Sequence, residues 1–122
     1  DRIIIDAPCS GTGVIGRHPD IRWSRREGEL EGYAARQLEL LNLAAALLVP
    51  GGILVYATCS IEAEEHERLG EQFLTENNDL HRTDCGARLP SSCKNLIRDG
   101  YFAPLPDRGI DGFFCARLSK KR

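Results

Sequence analysis

The chain has 122 residues, 42% hydrophobic and 28% charged, with 16 Lys and Arg against 18 Asp and Glu and a formal net charge of −2. That is enough for one core and too little for two, and it excludes collagen-like, coiled-coil and low-complexity classes. No apolar run is long enough to span a bilayer, the first residues do not read as a signal peptide, and the balanced charge excludes a polybasic tail while leaving room for a local basic patch.

The sequence contains no Met and begins at Asp1, two residues before Ile3-Ile4-Ile5. This predicts a piece of a longer protein, its C-terminal part, with 1–122 forming a single partial domain. The five cysteines, at 9, 59, 85, 93 and 115, are odd in number and lack a C-x-x-C pair. A disulfide framework and a structural zinc site, or any other metal site, are therefore not expected, and a reducing, cytoplasmic setting is. Cys85, Cys93 and Cys115 carry no chemical context and read as structural or incidental.

In chain order, Ile3-Ile4-Ile5 is β-branched and continuously apolar, which predicts a strand covered on both faces. Pro8 stops it within Asp6-Ala7-Pro8-Cys9. A Gly-rich loop and a basic stretch run to about Gly28. From Glu29, the spacing of Leu30, Ala34, Leu38, Leu41, Ala45 and Leu48 predicts one apolar helical face, closed by Pro50-Gly51-Gly52. Ile53 to Ala57 reads as a second buried strand that runs into Thr58-Cys59-Ser60. Ser60 is placed to N-cap a helix carrying Leu69, Phe73 and Leu74 and ending at Asn77-Asn78. Leu80 to Thr83 predicts a short strand, 84–110 mostly loop, and Phe113 to Leu118 a last strand after the Asp111-Gly112 turn. The pattern is α/β, with a right-handed crossover between the first two strands. If those strands are neighbours, Cys9 and Cys59 share one mouth at their carboxyl ends, where ligands sit in open α/β sheets.

Gly11-Thr12-Gly13-Val14-Ile15-Gly16 matches G-x-G-x-x-G, which raises a nucleotide-dependent oxidoreductase as an alternative. The fingerprint requires a helix to begin inside it, whereas Arg17-His18-Pro19 follows at once, so the context argues against it. The glycines still imply a tight turn or a close approach of the backbone to something. Cys9 and Cys59 are either small buried hydrophobes or a reactive pair. A helix N-terminus at Ser60 would lower the Cys59 pKa from ~8.5 toward ~7, against opposition from Glu62, Glu64 and Glu65 in the first turn.

Asp6-Ala7-Pro8-Cys9-Ser10-Gly11-Thr12-Gly13 together with Tyr56-Ala57-Thr58-Cys59-Ser60 closely resembles the two cysteine motifs of the RNA 5-methylcytosine methyltransferases of the Nol/Nop/Sun group. Gly16 to Trp23 is similar to the RsmB-type (Fmu) branch that acts on small-subunit ribosomal RNA, as is the closing Asp111-Gly112-Phe113-Phe114. The resemblance implies the C-terminal half of a Rossmann-like class I methyltransferase sheet, strands four to seven with flanking helices. It implies S-adenosyl-L-methionine as cofactor and RNA as partner. Cys59 matches the nucleophile that adds to C6 of cytosine. Cys9 matches the second cysteine, implicated in eliminating the enzyme after methyl transfer. Asp6 lies between cofactor and base, and Asp6 with Pro8 takes the cofactor side. Gly11 and Gly13 would bring the base close to the backbone. A paired target would have to leave its stack.

Arg17, His18, Arg22, Arg25 and Arg26 with Trp23 form one basic-aromatic cluster. It reads as an RNA contact, with arginines for phosphate and Trp23 for stacking, or as a solvated loop paired to Asp20, Glu27 and Glu29 with Trp23 filling core. About four arginines on single-stranded phosphates would give a log–log salt slope near −3. The cofactor-binding first half that the resemblance implies is not in these residues, which leaves a raw strand edge and predicts weak or no cofactor binding by the chain alone. An RNA-binding module without catalysis is the other reading.

Overall fold

The computed structural model describes residues 1–107 and 109–122. β1 (Arg2–Asp6) turns Ile3 and Ile5 into the core, while Ile4 is 74% exposed. The expectation of a strand covered on both faces is therefore corrected: side chains alternate along a strand, and helices lie on only one side of this one. A short helix α1 (Ile21–Ser24) interrupts the basic stretch, and α2 (Leu30–Leu47) follows within a residue of its predicted ends. Leu41, Ala44 and Ala45 on α2, with Leu48 just beyond it, are buried in the core; Gly51, at φ 78, completes the return toward the sheet.

β2 (Ile53–Thr58) pairs in parallel with β1, Ile3 opposite Leu54 and Asp6 opposite Ala57. The crossover through α1 and α2 is what a parallel neighbour requires. Its burial alternates, with Leu54, Tyr56 and Thr58 inward. α3 (Glu67–Glu76) buries Leu69 and fully buries Phe73. It begins seven residues after Ser60, with His66 at its N-cap position, so Ser60 does not cap it. Between them Ala63–Glu65 makes one 3-10 turn.

β3 (Leu80–Thr83) is as predicted. The segment expected to be mostly loop contains a hairpin, β4 (Ile97–Arg98) and β5 (Tyr101–Phe102). Asp99 and Gly100 at its turn have φ 51 and 80, the two positive values of a type I′ hairpin turn. β6 (Phe114–Lys120) lies antiparallel to β2, with Thr58 opposite Phe114. Its other edge is shared by β3, along Arg117 to Lys120, and by β5 at Cys115. The strand order is β1-β2-β6-β5-β4, with β3 also on β6, so β1 is an edge. Phe114, Ala116 and Leu118 meet α2 and α3 on the same face as Leu54 and Tyr56, which fixes the core and leaves the carboxyl ends of β1 and β2 side by side.

Candidate active site

The two strand ends bring the cysteines together. Cys9 Sγ lies 3.4 Å from Cys59 Sγ, and both thiols are half-buried. The loops that carry them are locked by backbone as well. Gly13 N–H donates to the Cys59 carbonyl at 2.9 Å, and Gly112 N–H donates to the Gly13 carbonyl at 2.7 Å. A Cβ on Gly13 would sit 2.1 Å from the Gly112 oxygen and 2.7 Å from that of Cys59. The close approach inferred from this glycine is thus to the protein's own backbone and not to a base, while Gly11, at φ 74, supplies the tight turn. Thr12–Val14 forms a 3-10 turn, so no helix opens in G-x-G-x-x-G to aim at a phosphate.

Beneath the cysteines lies a polar plug that the sequence reading did not find. Glu65 is completely buried and accepts from Ser10 N–H at 2.8 Å, from Ser10 Oγ at 2.7 Å, from Gln37 Nε2 at 3.1 Å, and from Ser60 Oγ. Gln37 Nε2 also donates to the Pro8 carbonyl at 2.9 Å. Ser60 Oγ accepts from Glu62 N–H at 3.0 Å, so its hydroxyl serves this turn and the plug in place of a helix cap. Glu65, expected from the sequence to crowd the Cys59 turn with Glu62 and Glu64, is instead tied down by donors. Gln37 carried a signal, being the polar residue on the buried face of α2 between Ala34 and Leu41. Glu65 carried none that sets it apart from Glu62 and Glu64.

The Cys9 thiol is pushed up to about 12, first by burial and then by its hydrogen bond to Cys59. It keeps its proton through the neutral range. α3 starts only at Glu67, so the helix N-terminus expected directly after Cys59 is not there. Behind the site, His66 stacks on Phe114 at 3.9 Å and shares a 2.8 Å hydrogen bond with Thr58 Oγ1. Burial, with a smaller contribution from Arg98, lowers its pKa to about 3, so it is a neutral structural ring.

Asp6 and Pro8 are exposed at the end of β1. With the Pro8 carbonyl taken by Gln37, they offer a carboxylate and an apolar ring beside a thiol. A carboxylate and an apolar ring are chemically compatible with a ligand that carries a cationic centre and a methyl group, the character of S-adenosylmethionine. Next to the Cys9 loop, a cleft of about 380 Å³ is lined by Ser10, Thr12, Arg22, Arg25, Tyr33 and Glu62, among others. The basic cluster divides here. Arg17 is paired to Asp111 at 2.7 Å and Arg25 Nε donates to the Ser10 carbonyl at 3.0 Å, while Arg22 and Arg26 line the cleft. None of the expected pairings to Asp20, Glu27 or Glu29 is an ion pair among the described residues. Trp23 is 84% exposed with Arg22 over its ring at 5.7 Å, which removes the core-filler reading, and His18 is also exposed. Cys85 is buried, its thiol toward the Cys115 carbonyl at 3.6 Å.

Residues 1–119 match the family model described as 16S rRNA methyltransferase RsmB/F. The chain belongs to this family. Ribosomal RNA small subunit methyltransferase B of Klebsiella pneumoniae is 46% identical over 100% of the chain. The chain spans 26% of that relative's length. Among solved structures, a methyltransferase homolog protein from Pyrococcus horikoshii superposes with a TM-score of 0.73 at 31% identity, over 98% of this chain and 39% of that one. NSun6 from the same organism, solved with SFG, gives 0.74 at 27% identity, over 98% and 29%. The RsmB/F membership bears out the family resemblance and the Rossmann-like methyltransferase sheet, and it sets aside the oxidoreductase alternative. No helix among the described residues is long and apolar enough to cross a membrane.

Proposed function

We propose that the protein carrying this sequence methylates C5 of a cytosine in small-subunit ribosomal RNA, with Cys59 as the covalent nucleophile and Cys9 as its proton-bearing partner. The observation that carries this reading is the 3.4 Å contact between two thiols on neighbouring strand ends. The name of the Klebsiella relative and the SFG in the NSun6 structure, an analogue of S-adenosylmethionine, support the substrate class and the cofactor.

Cys59 Sγ adds to C6 of the ring, forming an S–C6 bond and giving C5 carbanion character. Asp6, exposed at the end of β1, holds the ring edge at N3 and faces the cofactor together with Pro8. When bound, S-adenosylmethionine supplies an electrophilic methyl group to this mouth. Elimination then passes the C5 proton to solvent water acting as base, and the S–C6 bond breaks with its electron pair returning to Cys59 as thiolate. Cys9 stands beside that sulfur. Arg22, Arg26, Trp23 and His18 take the neighbouring RNA, with Arg17 and Arg25 holding the loop.

The test is a pair of variants in the full-length enzyme, followed on denaturing gels with labelled RNA. Cys59→Ala abolishes methylation and leaves no covalent RNA. Cys9→Ala transfers methyl and accumulates the adduct. A Cys59→Ala enzyme that still forms the adduct would rule the assignment out.

A further inference from the structure

We propose that Glu65 is a positioning residue that sets the contact between Cys9 and Cys59. This rests on the reading of those cysteines as the reacting pair and adds a residue that touches neither substrate nor cofactor.

Each loop that carries a cysteine is anchored to the same carboxylate through the residue that follows the thiol. Ser10 uses both its N–H, at 2.8 Å, and its hydroxyl, at 2.7 Å; Ser60 uses its hydroxyl. The two serine hydroxyls are themselves 3.3 Å apart. Glu65 is thus a clamp one residue behind each sulfur, 55 positions from one loop and 5 from the other. Its own backbone is held by Tyr56, whose hydroxyl donates to the Glu65 carbonyl at 2.9 Å from inside β2. Gln37 joins α2 to the clamp and to the Pro8 carbonyl, and its own Oε1 is buried with no partner among the described residues. Turning that amide over would set its oxygen against two other oxygens, so the orientation is dictated by Glu65 and Pro8.

A carboxylate here does more than fill space, since an apolar residue would leave the Ser10 amide and hydroxyl, the Ser60 hydroxyl and the Gln37 amide without this acceptor. What an apolar residue cannot do is fix the separation of two loops. Charge-assisted hydrogen bonds are short and directional, and they constrain position more tightly than packing does.

The readout is the thiol pair itself, which makes it independent of methyl transfer. In the full-length protein, the pair is equilibrated with oxidised glutathione: Cys9 and Cys59 lose two protons and two electrons to form the S–S bond, and one disulfide becomes two glutathione thiols. The cross-link is quantified by mass spectrometry between tryptic peptides 3–17 and 37–68, which hold no other cysteine. Glu65→Ala is expected to lower the equilibrium constant at least about tenfold, a shift of about 30 mV. Glu65→Gln, which keeps an acceptor for Ser10 N–H and a polar partner for the hydroxyls, is expected to stay within about threefold of wild type. Phe73→Leu, a core change remote from both loops, is expected to lower stability and leave the constant unchanged. If Glu65→Ala does not fold, the Ser10→Ala/Ser60→Ala double variant decides, with an expected fall of at least about threefold. A folded Glu65→Ala or double variant with the wild-type constant overturns the proposal, as does a Glu65→Gln constant as low as that of Glu65→Ala. Loss of methylation with an intact thiol equilibrium would instead count against the reaction reading alone.

Discussion

The amide of Gly112, just before β6, donates to the carbonyl of Gly13 at 2.7 Å, and Gly13 in turn donates to Cys59 at 2.9 Å. Three loops far apart in sequence therefore meet at a residue with no side chain. A methyl group at Gly13 would fall 2.1 Å from the Gly112 oxygen, and the neighbours within reach are backbone atoms that cannot swing aside. Gly13→Ala is expected to cost at least about 2 kcal/mol. Gly16→Ala has open space around its Cβ and is expected within about 0.5 kcal/mol of wild type. Urea denaturation of both variants checks the contrast, and equal costs would contradict the geometry.

The Cys9 thiol, raised to about 12 by burial and by Cys59, should be slow to alkylate. At pH 8 its iodoacetamide rate is expected to be at least about tenfold below that of Cys93, since only the thiolate reacts. Cys59→Ser weakens the second cause and should speed Cys9 without bringing it to the rate of an exposed thiol. Peptide mapping after timed quenching reads both rates.

His66 gives the stability an acid-sensitive component. In the unfolded chain it takes a proton near pH 6.5; in the folded chain it resists until about 3. Its contribution is therefore complete above the unfolded value and is lost as pH falls from about 6.5 toward 3, at up to about 1.4 kcal/mol per pH unit. His66→Phe keeps a ring against Phe114 and removes the titration. The wild-type unfolding free energy should fall more steeply than the variant's between pH 6.5 and 4.5, with carboxylate titrations common to both. Parallel curves would contradict the buried neutral ring.

Two of the basic residues are already engaged, Arg17 by Asp111 and Arg25 by the Ser10 carbonyl. If only Arg22 and Arg26 reach phosphates, the log–log salt slope on single-stranded RNA is about −1.4, half the value expected from four free arginines. Trp23→Ala should weaken RNA binding and leave the melting temperature within about 1 °C, because the ring is 84% exposed. Fluorescence anisotropy across a salt series, with a parallel melt, tests both.

Where regular periodicity or turn chemistry fixed an element, the sequence was legible. The 3- and 4-residue spacing from Leu30 to Leu48 located α2 to within a residue at each end, and the two β-branched or apolar runs located β1 and β2. The juxtaposition of Cys9 and Cys59 followed from their places at two strand ends, once those strands were neighbours. The hairpin at Asp99-Gly100 was missed although the dipeptide is a turn signal, because strands of two residues show no alternation to flank it. Ser60 was misassigned as a cap because a serine after a strand looks the same whether its hydroxyl serves a helix or a buried carboxylate. That Glu65 is buried while Glu64 is only half-buried depends on the 3-10 turn and on donors from residues 10 and 37, none of which is local.

The parallel register of β1 on β2 has a consequence for folding. With Asp6 opposite Ala57, Cys9 lies three residues past one member of the pair and Cys59 two past the other. A slip of one residue would carry one sulfur about 3.3 Å along the strand axis and turn Ile4 inward in place of Ile3 and Ile5. The sulfur–sulfur distance is therefore a gauge of strand alignment. A chain trapped in the wrong alignment would announce itself by two cysteines that no longer cross-link, well before any loss of secondary structure.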